Sequence, residues 1–179
     1  GSKRTVLVQG HMGTGKSSLS PAIAKLLPKH KPFYFDCTTK DLGDVTVPNI
    51  KTMGNAEYVT YLTNEELGAH LDTPIVLMID EFGKANPSVK NALLRLMLER
   101  KIGSRTLHPD SIIFATTNLG AENVGDMLLP HHRNRITVVL MRKPTGDEWI
   151  EWGVNNDISH IVLSYCKETP QAFQGLVLM

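Results

Sequence analysis

Residues 10–17 are the segment of this 179-residue chain whose residue types and spacing are best suited to chemistry. They read Gly-His-Met-Gly-Thr-Gly-Lys-Ser and satisfy the pattern G-x-x-x-x-G-K-[ST] directly behind an apolar run at residues 6–8. Glycines let successive backbone N–H groups curl around an anion, and a helix that follows directs its positive dipole end at that anion. The pattern predicts a loop that binds a nucleoside triphosphate rather than a turn that binds nothing.

This loop predicts a set of nucleotide contacts and part of a metal site. Lys16 is expected to reach the β- and γ-phosphates, and the Ser17 hydroxyl is expected to ligate Mg²⁺. The residues predicted to contact the nucleotide are Gly10, His11, Met12, Gly13, Thr14, Gly15, Lys16, Ser17 and Ser18.

Two adjacent acids follow five apolar residues at 75–79. Asp80, at the end of a buried strand, can hold Mg²⁺ through water. Glu81 points the other way and can act as the general base that polarises an attacking water. Beside a phosphate loop, this pair indicates hydrolysis rather than a solvated acidic turn.

Two further polar positions complete the hydrolytic set. Asn118 ends the apolar run that begins at residue 112, and its amide could hydrogen-bond the attacking water if that strand lies between the two strands already described. Arg133 and Arg135 precede the last apolar run. They could be surface cations, or one of them could project into the site of a neighbouring protomer.

The elements that must position these residues alternate between strand and helix. Apolar runs predict strands at residues 5–8, 33–35, 75–79, 112–115 and 136–140. Helices are predicted at residues 16–27, where Pro21 requires a distorted first turn, and after the Asn86 cap, where Val89, Leu93, Leu96 and Met97 form an apolar stripe. This order is typical of a doubly wound α/β domain with a parallel sheet.

Two segments interrupt the alternation, and the tail changes character. Residues 45–62 predict a hairpin insertion ahead of a helix around residues 64–71, and residues 101–111 are rich in turn residues. Beyond Pro144, helices are predicted at residues 147–155 and 158–167.

With these motifs the chain resembles an AAA+ ATPase, and within that superfamily the MoxR-like members that carry an insertion in the second helix. The resemblance covers residues 3–143, and it implies a P-loop NTPase α/β fold with a five-stranded parallel sheet in the order 5-1-4-3-2, counting strands along the chain. Residues 144–179 would begin a helical lid that is incomplete here, and residues 1–2 are interpreted as a tag remnant.

The resemblance also implies roles for single residues. Lys16, Glu81 and Asn118 would be catalytic, the last as sensor 1, and Arg135 fits the arginine-finger position better than Arg133. Lys84 stands where the family often has arginine. Thr38 or Thr39 is placed like the polar residue that restrains the catalytic glutamate.

The leading hypothesis is therefore ATP hydrolysis with Mg²⁺ in a homo-oligomeric, hexameric ring. It would remodel a partner macromolecule, for which a von Willebrand A-type protein is the family's typical example. An ATP-binding adaptor with little turnover, a DNA-directed motor and a small-molecule P-loop kinase are alternatives.

Composition limits these choices only loosely. The chain is 41% hydrophobic, enough for one substantial core, and its net charge of +1 does not mark it as a nucleic-acid binder. Its two cysteines, Cys37 and Cys166, lack CxxC spacing, and its seven histidines have no ligand spacing. No run is long enough for a membrane span and no signal-peptide pattern is present, so a cytoplasmic protein is expected.

Overall fold

The computed structural model describes residues 5–119 and 135–173, and the chain divides into two compact units at residues 141 and 142. The strands in chain order are β1 (Thr5–Gly10), β2 (Lys31–Asp36), β3 (Thr46–Met53), β4 (Ala56–Thr63), β5 (Ile75–Asp80), β6 (Lys101–Ile102), β7 (Arg105–Thr106), β8 (Ile112–Asn118) and β9 (Ile136–Met141). The α-helices are α1 (Leu19–Leu26), α2 (Pro87–Glu99), α3 (Gly146–Val154) and α4 (His160–Glu168).

Five of these strands form one parallel sheet in the first unit. Its order is β2-β5-β8-β1-β9, and every neighbouring pair runs parallel. Counted along the chain, this is the order 5-1-4-3-2 that the resemblance implied, so the predicted fold class is confirmed. The strand that ends in Asn118 therefore lies between the strand leading into the phosphate loop and the strand that ends in Asp80.

Apolar side chains cover both faces of this sheet. On one face the apolar stripe of α2 is buried, as predicted, against a cluster that includes Phe35, Leu77 and Ile113. On the other face Leu19 and Ile23 of α1 pack against a smaller cluster of Val8, Val76, Met78 and Phe114. Burial on both faces explains why the central strands are continuous apolar runs rather than alternating ones.

The first helix begins later than predicted. Lys16–Ser18 form a 3-10 turn, and the α-helix starts only at Leu19. Pro21 is then the third helical residue, where its missing N–H leaves no intrahelical hydrogen bond unmade, and the Ser17 carbonyl lies outside the α-helix. The predicted distortion of the first turn is thus a 3-10 turn that precedes the α-helix. Leu26, placed in the apolar stripe by its spacing, is 79% exposed.

The insertion after β2 is a hairpin, as predicted. β3 and β4 pair antiparallel from Thr46 opposite Thr63 to Met53 opposite Ala56, with Gly54 and Asn55 as the turn. The helix predicted around residues 64–71 is wrong, because the structure has only a 3-10 turn at Glu65–Leu67. Gly68 ends this turn with a φ of 65°, and a Cβ there would lie 2.7 Å from the Phe33 ring of β2. The chain at Gly68 therefore packs closely against β2 where a longer helix was predicted.

The turn-rich segment after α2 contains a second, short hairpin of β6 and β7. In the second unit, α3 opens with a capping box in which Thr145 and Glu148 exchange side-chain and backbone hydrogen bonds. Within the described ranges, no helix has the length and apolarity that crossing a membrane requires.

Candidate active site

The site lies where three parallel strands end at one edge of the sheet. Gly10 of β1 pairs with Asn118 of β8, and β5 ends alongside at Asp80. A cleft of about 390 Å³ opens at this edge. Its lining residues are Met12, Gly13, Gly15, Lys16, Ser17, Asp80, Glu81 and Asn118. The sheet order therefore brings together side chains that lie up to about a hundred positions apart in the sequence.

The phosphate loop holds its lysine in a defined position. Gly15 has a φ of 86°, a left-handed conformation that a residue with a side chain rarely adopts. Lys16 is 8% exposed, and its Nζ donates to the carbonyls of Gly10 (3.0 Å) and His11 (2.8 Å) and to Oδ1 of Asn118 (2.8 Å). Thr14 closes the loop by donating its hydroxyl to the His11 carbonyl at 2.9 Å. The cation is thus aimed into the cleft from its floor.

Most of the predicted nucleotide contacts lie in or directly behind this cleft. Met12, Gly13, Gly15 and Ser17 line it, and Met12 is 76% exposed. The lining does not include Ser18, whose side chain is exposed.

Asp80 is buried and held by three donors. The Thr116 hydroxyl and the backbone N–H of Glu81 donate to Oδ1, the latter at 3.0 Å. The Tyr34 hydroxyl donates to Oδ2 at 2.8 Å. Partial burial and the charge of Asp80 raise the pKa of Tyr34 well above its ordinary value, so the phenol keeps its proton and acts as a donor. Sequence reasoning identified Asp80 but missed Tyr34 and Thr116.

Glu81 leaves the strand in an unusual conformation. Its φ of 52° and ψ of 37° are left-handed, which ends β5 and starts the 3-10 turn Phe82–Lys84. The Nδ2 of Asn118 lies 2.7 Å and 3.0 Å from the two carboxylate oxygens, and the Nζ of Lys84 lies 3.3 Å from Oε2. Such backbone strain in a cleft lined by charged groups is typical of functional sites.

Asn118 links the phosphate loop to this carboxylate. Its Oδ1 accepts from Lys16 while its Nδ2 donates to Glu81, so one amide spans the gap between the two. A carboxylate in this position can accept a proton from a water that the amide orients. The arrangement can therefore support attack of water on a phosphoryl group bound at the loop.

The other predicted residues lie elsewhere. The Thr38 hydroxyl donates to Asp36 at 2.8 Å. The Glu81 carboxylate contacts Asn118 and Lys84, so the structure does not place Thr38 or Thr39 as the restraint on the glutamate. Arg133 falls outside the described residues.

Arg135 is exposed at the amino-terminal end of β9, whereas the phosphate loop lies at the carboxyl ends of the strands. It directly precedes β9, and its guanidinium donates to the Leu98 carbonyl at 3.2 Å. The six residues of β9 place it roughly 20 Å from the edge that carries the cleft. It is therefore not part of the cleft of its own chain.

The donor set fits Mg²⁺ shared with phosphate oxygens. Asp80 and Ser17 both present oxygen to the cleft, and oxygen is the ligand that Mg²⁺ prefers. Within residues 5–119 and 135–173, no three His, Cys, Asp or Glu side chains cluster to hold a metal by themselves. An ion here would depend on ligands from a bound nucleotide.

The chain is similar to known proteins over most of its length. Residues 5–148 match the family described as AAA domain (dynein-related subfamily). The Nif-specific regulatory proteins of Azospirillum lipoferum and Azospirillum brasilense are each 28% identical to it over an alignment of 136 residues. Each match covers 67% of this chain and 20% of the relative. The chain thus spans about a fifth of the length of these curated relatives. The family match, the sheet order and the cleft agree, and we conclude that this chain belongs to the dynein-related AAA domain family and is an ATPase.

Proposed function

We propose that the chain hydrolyses ATP at the interface between protomers of a ring and uses this reaction to remodel a partner macromolecule. The observation that carries the proposal is the contact of Asn118 with both Lys16 and Glu81 beside the buried Asp80. This combination favours hydrolysis over transfer to a metabolite, because the base and the amide together can place and activate a water molecule beside the phosphate loop.

Each of the five polar or charged side chains that line the cleft has a role in this reaction. Lys16 would donate to the β- and γ-phosphates and stabilise the charge that develops on the transferred group. Glu81 would take the proton as the water oxygen attacks phosphorus, and Asn118 would hold that water in line. Ser17 and Asp80 would hold Mg²⁺, which supplies further charge neutralisation when bound.

A neighbouring protomer would complete the site. Arg135 is exposed and lies away from the cleft of its own chain, which suits a guanidinium that acts on the next subunit. An arginine supplied in trans contributes on the order of 10³–10⁵ in rate in related phosphoryl-transfer enzymes. AAA+ domains commonly form oligomers, and we propose a hexamer for this chain.

The partner proposed is a protein, as for MoxR-like ATPases, with a von Willebrand A-type protein as the example. The β3–β4 hairpin between β2 and β5 supports this assignment, because the MoxR-like group carries an insertion in this region. The same proposal takes residues 3–143 as the nucleotide-binding domain and residues 144–179 as the start of a helical lid.

A regulatory ATPase is a second candidate. It is supported by the similarity to two Nif-specific regulatory proteins, at 28% identity over the same 136 residues. It uses the same cleft and differs in the partner that the ring acts on.

Phosphate release from ATP tests the chemistry. The wild-type protein should release inorganic phosphate with Mg²⁺ and no acceptor metabolite, and Lys16→Ala should abolish this release. ATP turnover that requires a small-molecule acceptor and transfers the phosphoryl group to it, without release of inorganic phosphate, would indicate a kinase and contradict hydrolysis.

Subunit mixing tests the shared interface. Arg135→Ala and Lys16→Ala should each be inactive, and a mixture should recover part of the activity, because one protomer supplies the intact loop and its neighbour the arginine. A mixture no more active than the sum of its components would contradict a shared site.

A further inference from the structure

The Asp80 carboxylate has almost all of its acceptor positions filled. An ionised carboxylate has about four lone-pair positions on its two oxygens. Thr116 and the Glu81 N–H use those of Oδ1, and Tyr34 uses one of Oδ2. The remaining position belongs to Oδ2, the oxygen that Tyr34 contacts.

Tyr34 reaches this oxygen because of the sheet register. β2 lies beside β5, with Tyr34 opposite Met78 and Asp36 opposite Asp80. Met78 and Asp80 point to the same face of the sheet, since side chains alternate along a strand. Tyr34, two residues before Asp36 and on the same face, can therefore lean along the strands until its hydroxyl meets the carboxylate.

The bond is not needed to satisfy Tyr34 itself. Tyr34 is 48% exposed and could donate its hydroxyl to water, whereas Asp80 is 8% exposed. The partner that gains from the contact is therefore the buried carboxylate, whose second oxygen would otherwise lack a donor from the protein among the described residues.

We propose that Tyr34 is a positioning residue that holds Asp80 so that the last acceptor position of Oδ2 faces Mg²⁺ and its bound water. This inference deepens the proposed function and rests on it, because it concerns how the same cleft holds the metal of a metal–nucleotide complex. Mg²⁺ demands near-ideal octahedral geometry, so a carboxylate free to rotate should bind it less well.

Removing the hydroxyl with Tyr34→Phe tests this role. A fluorescent ADP analogue is titrated into wild type and variant, once with MgCl₂ and once with EDTA. In Tyr34→Phe, the gain in affinity that Mg²⁺ provides should fall about tenfold, the size expected for one hydrogen bond to a charged group, while the affinity in EDTA should stay unchanged. Tyr165→Phe, which changes an exposed tyrosine on α4, should match wild type in both titrations.

A comparison of cations separates positioning from general support of the fold. Ca²⁺ tolerates irregular coordination, so Tyr34→Phe should lose more affinity with Mg²⁺ than with Ca²⁺. Equal losses with Mg²⁺, Ca²⁺ and EDTA, or an undiminished gain from Mg²⁺, would overturn the role of Tyr34. A wild-type protein without any gain from Mg²⁺ would overturn the proposed function as well, so the two failures are distinguishable.

Discussion

Asn118 connects the phosphate-binding lysine to the candidate base through the two ends of one amide. Its oxygen accepts from Lys16 and its nitrogen donates to both oxygens of Glu81. A side chain without this amide leaves the lysine and the carboxylate in place but removes the group that would orient water between them.

Asn118→Ala should therefore lower kcat about 10²-fold, the cost of misplacing a reactant by about an ångström, while affinity for ADP changes little. Steady-state phosphate release and ADP titration measure the two quantities. Asn91→Ala, on the exposed side of α2, is the matched control. A variant that loses affinity as steeply as kcat would show that Asn118 supports the loop and does not act on water.

Cys37 lies beside this site and should be unreactive in the folded protein. It is 1% exposed, and burial together with the charges of Asp36 and Asp80 raises its pKa to about 12. At pH 8 iodoacetamide should label Cys166 first, and Cys37 only after denaturation, because the thiolate is the nucleophile. Labelling of Cys37 in a folded Cys166→Ser variant at the rate seen in denaturant would contradict this.

The same thiol makes stability depend on pH. The unfolded chain loses this proton near the ordinary pKa of 9.0, whereas the folded chain keeps it to about 12. The folded state then holds more protons, so the free energy of unfolding falls as pH rises through this range. Urea midpoints between pH 9 and 11 should fall less steeply for Cys37→Ala than for wild type, and equal slopes would contradict the assignment.

At the scale of elements, α2 ties the candidate site to the body of the unit. Asn86 caps it by accepting from the Val89 N–H at 2.9 Å. Its Nδ2 also donates to the Lys40 carbonyl and to Asp41, which joins the start of the helix to the segment after β2. One side chain thus fixes both the start of the helix and the segment that follows β2.

Asn86→Ala should lower the free energy of unfolding by about 1–2 kcal/mol, as for other lost N-caps. Urea denaturation measures this. Asn91→Ala in the same helix should cause no loss, because alanine has the higher helix propensity. Equal effects of the two substitutions would show that the cap contributes nothing.

The elements that the sequence predicts correctly are those marked by a long, regular pattern of apolar residues or by a clear helix start. Continuous apolar runs identified the buried strands, and the Asn86-Pro87 pair marked the start of α2 correctly. The 3-10 turn at Lys16–Ser18 and the short turn at Glu65–Leu67 were missed, because local packing decides them. The close packing of Gly68 against the Phe33 ring is an example, and no periodicity of apolar residues in the sequence indicates it.

The same reasoning explains which site residues were found. Asp80 and Asn118 stand at strand ends, and Lys16 lies in the loop motif that follows β1, so the motif spacing and the sheet order together predict that they meet. Tyr34 lies inside a strand and reaches Asp80 only through the register of β2 on β5. Once the strand order is assumed, this register could have indicated the contact. Predicting it also requires that the tyrosine side chain is long enough to reach the carboxylate.

For the whole molecule, the cleft and the arginine proposed to act on a neighbouring protomer lie at opposite ends of the strands of the sheet. The cleft lies at the carboxyl ends of β1, β5 and β8, and Arg135 lies at the amino end of β9. A chain built this way can present a complete loop to its own nucleotide and a cation to a neighbour. This division is the structural basis for proposing that activity requires assembly.

The central claim is that Glu81 activates the water that cleaves ATP. The most direct measurement is single-turnover phosphate release by Glu81→Gln, with nucleotide affinity determined in parallel. We expect hydrolysis to fall by about 10²–10⁴ while ATP still binds, because glutamine keeps the shape of the side chain but cannot accept the proton. Undiminished phosphate release by this variant would contradict the account.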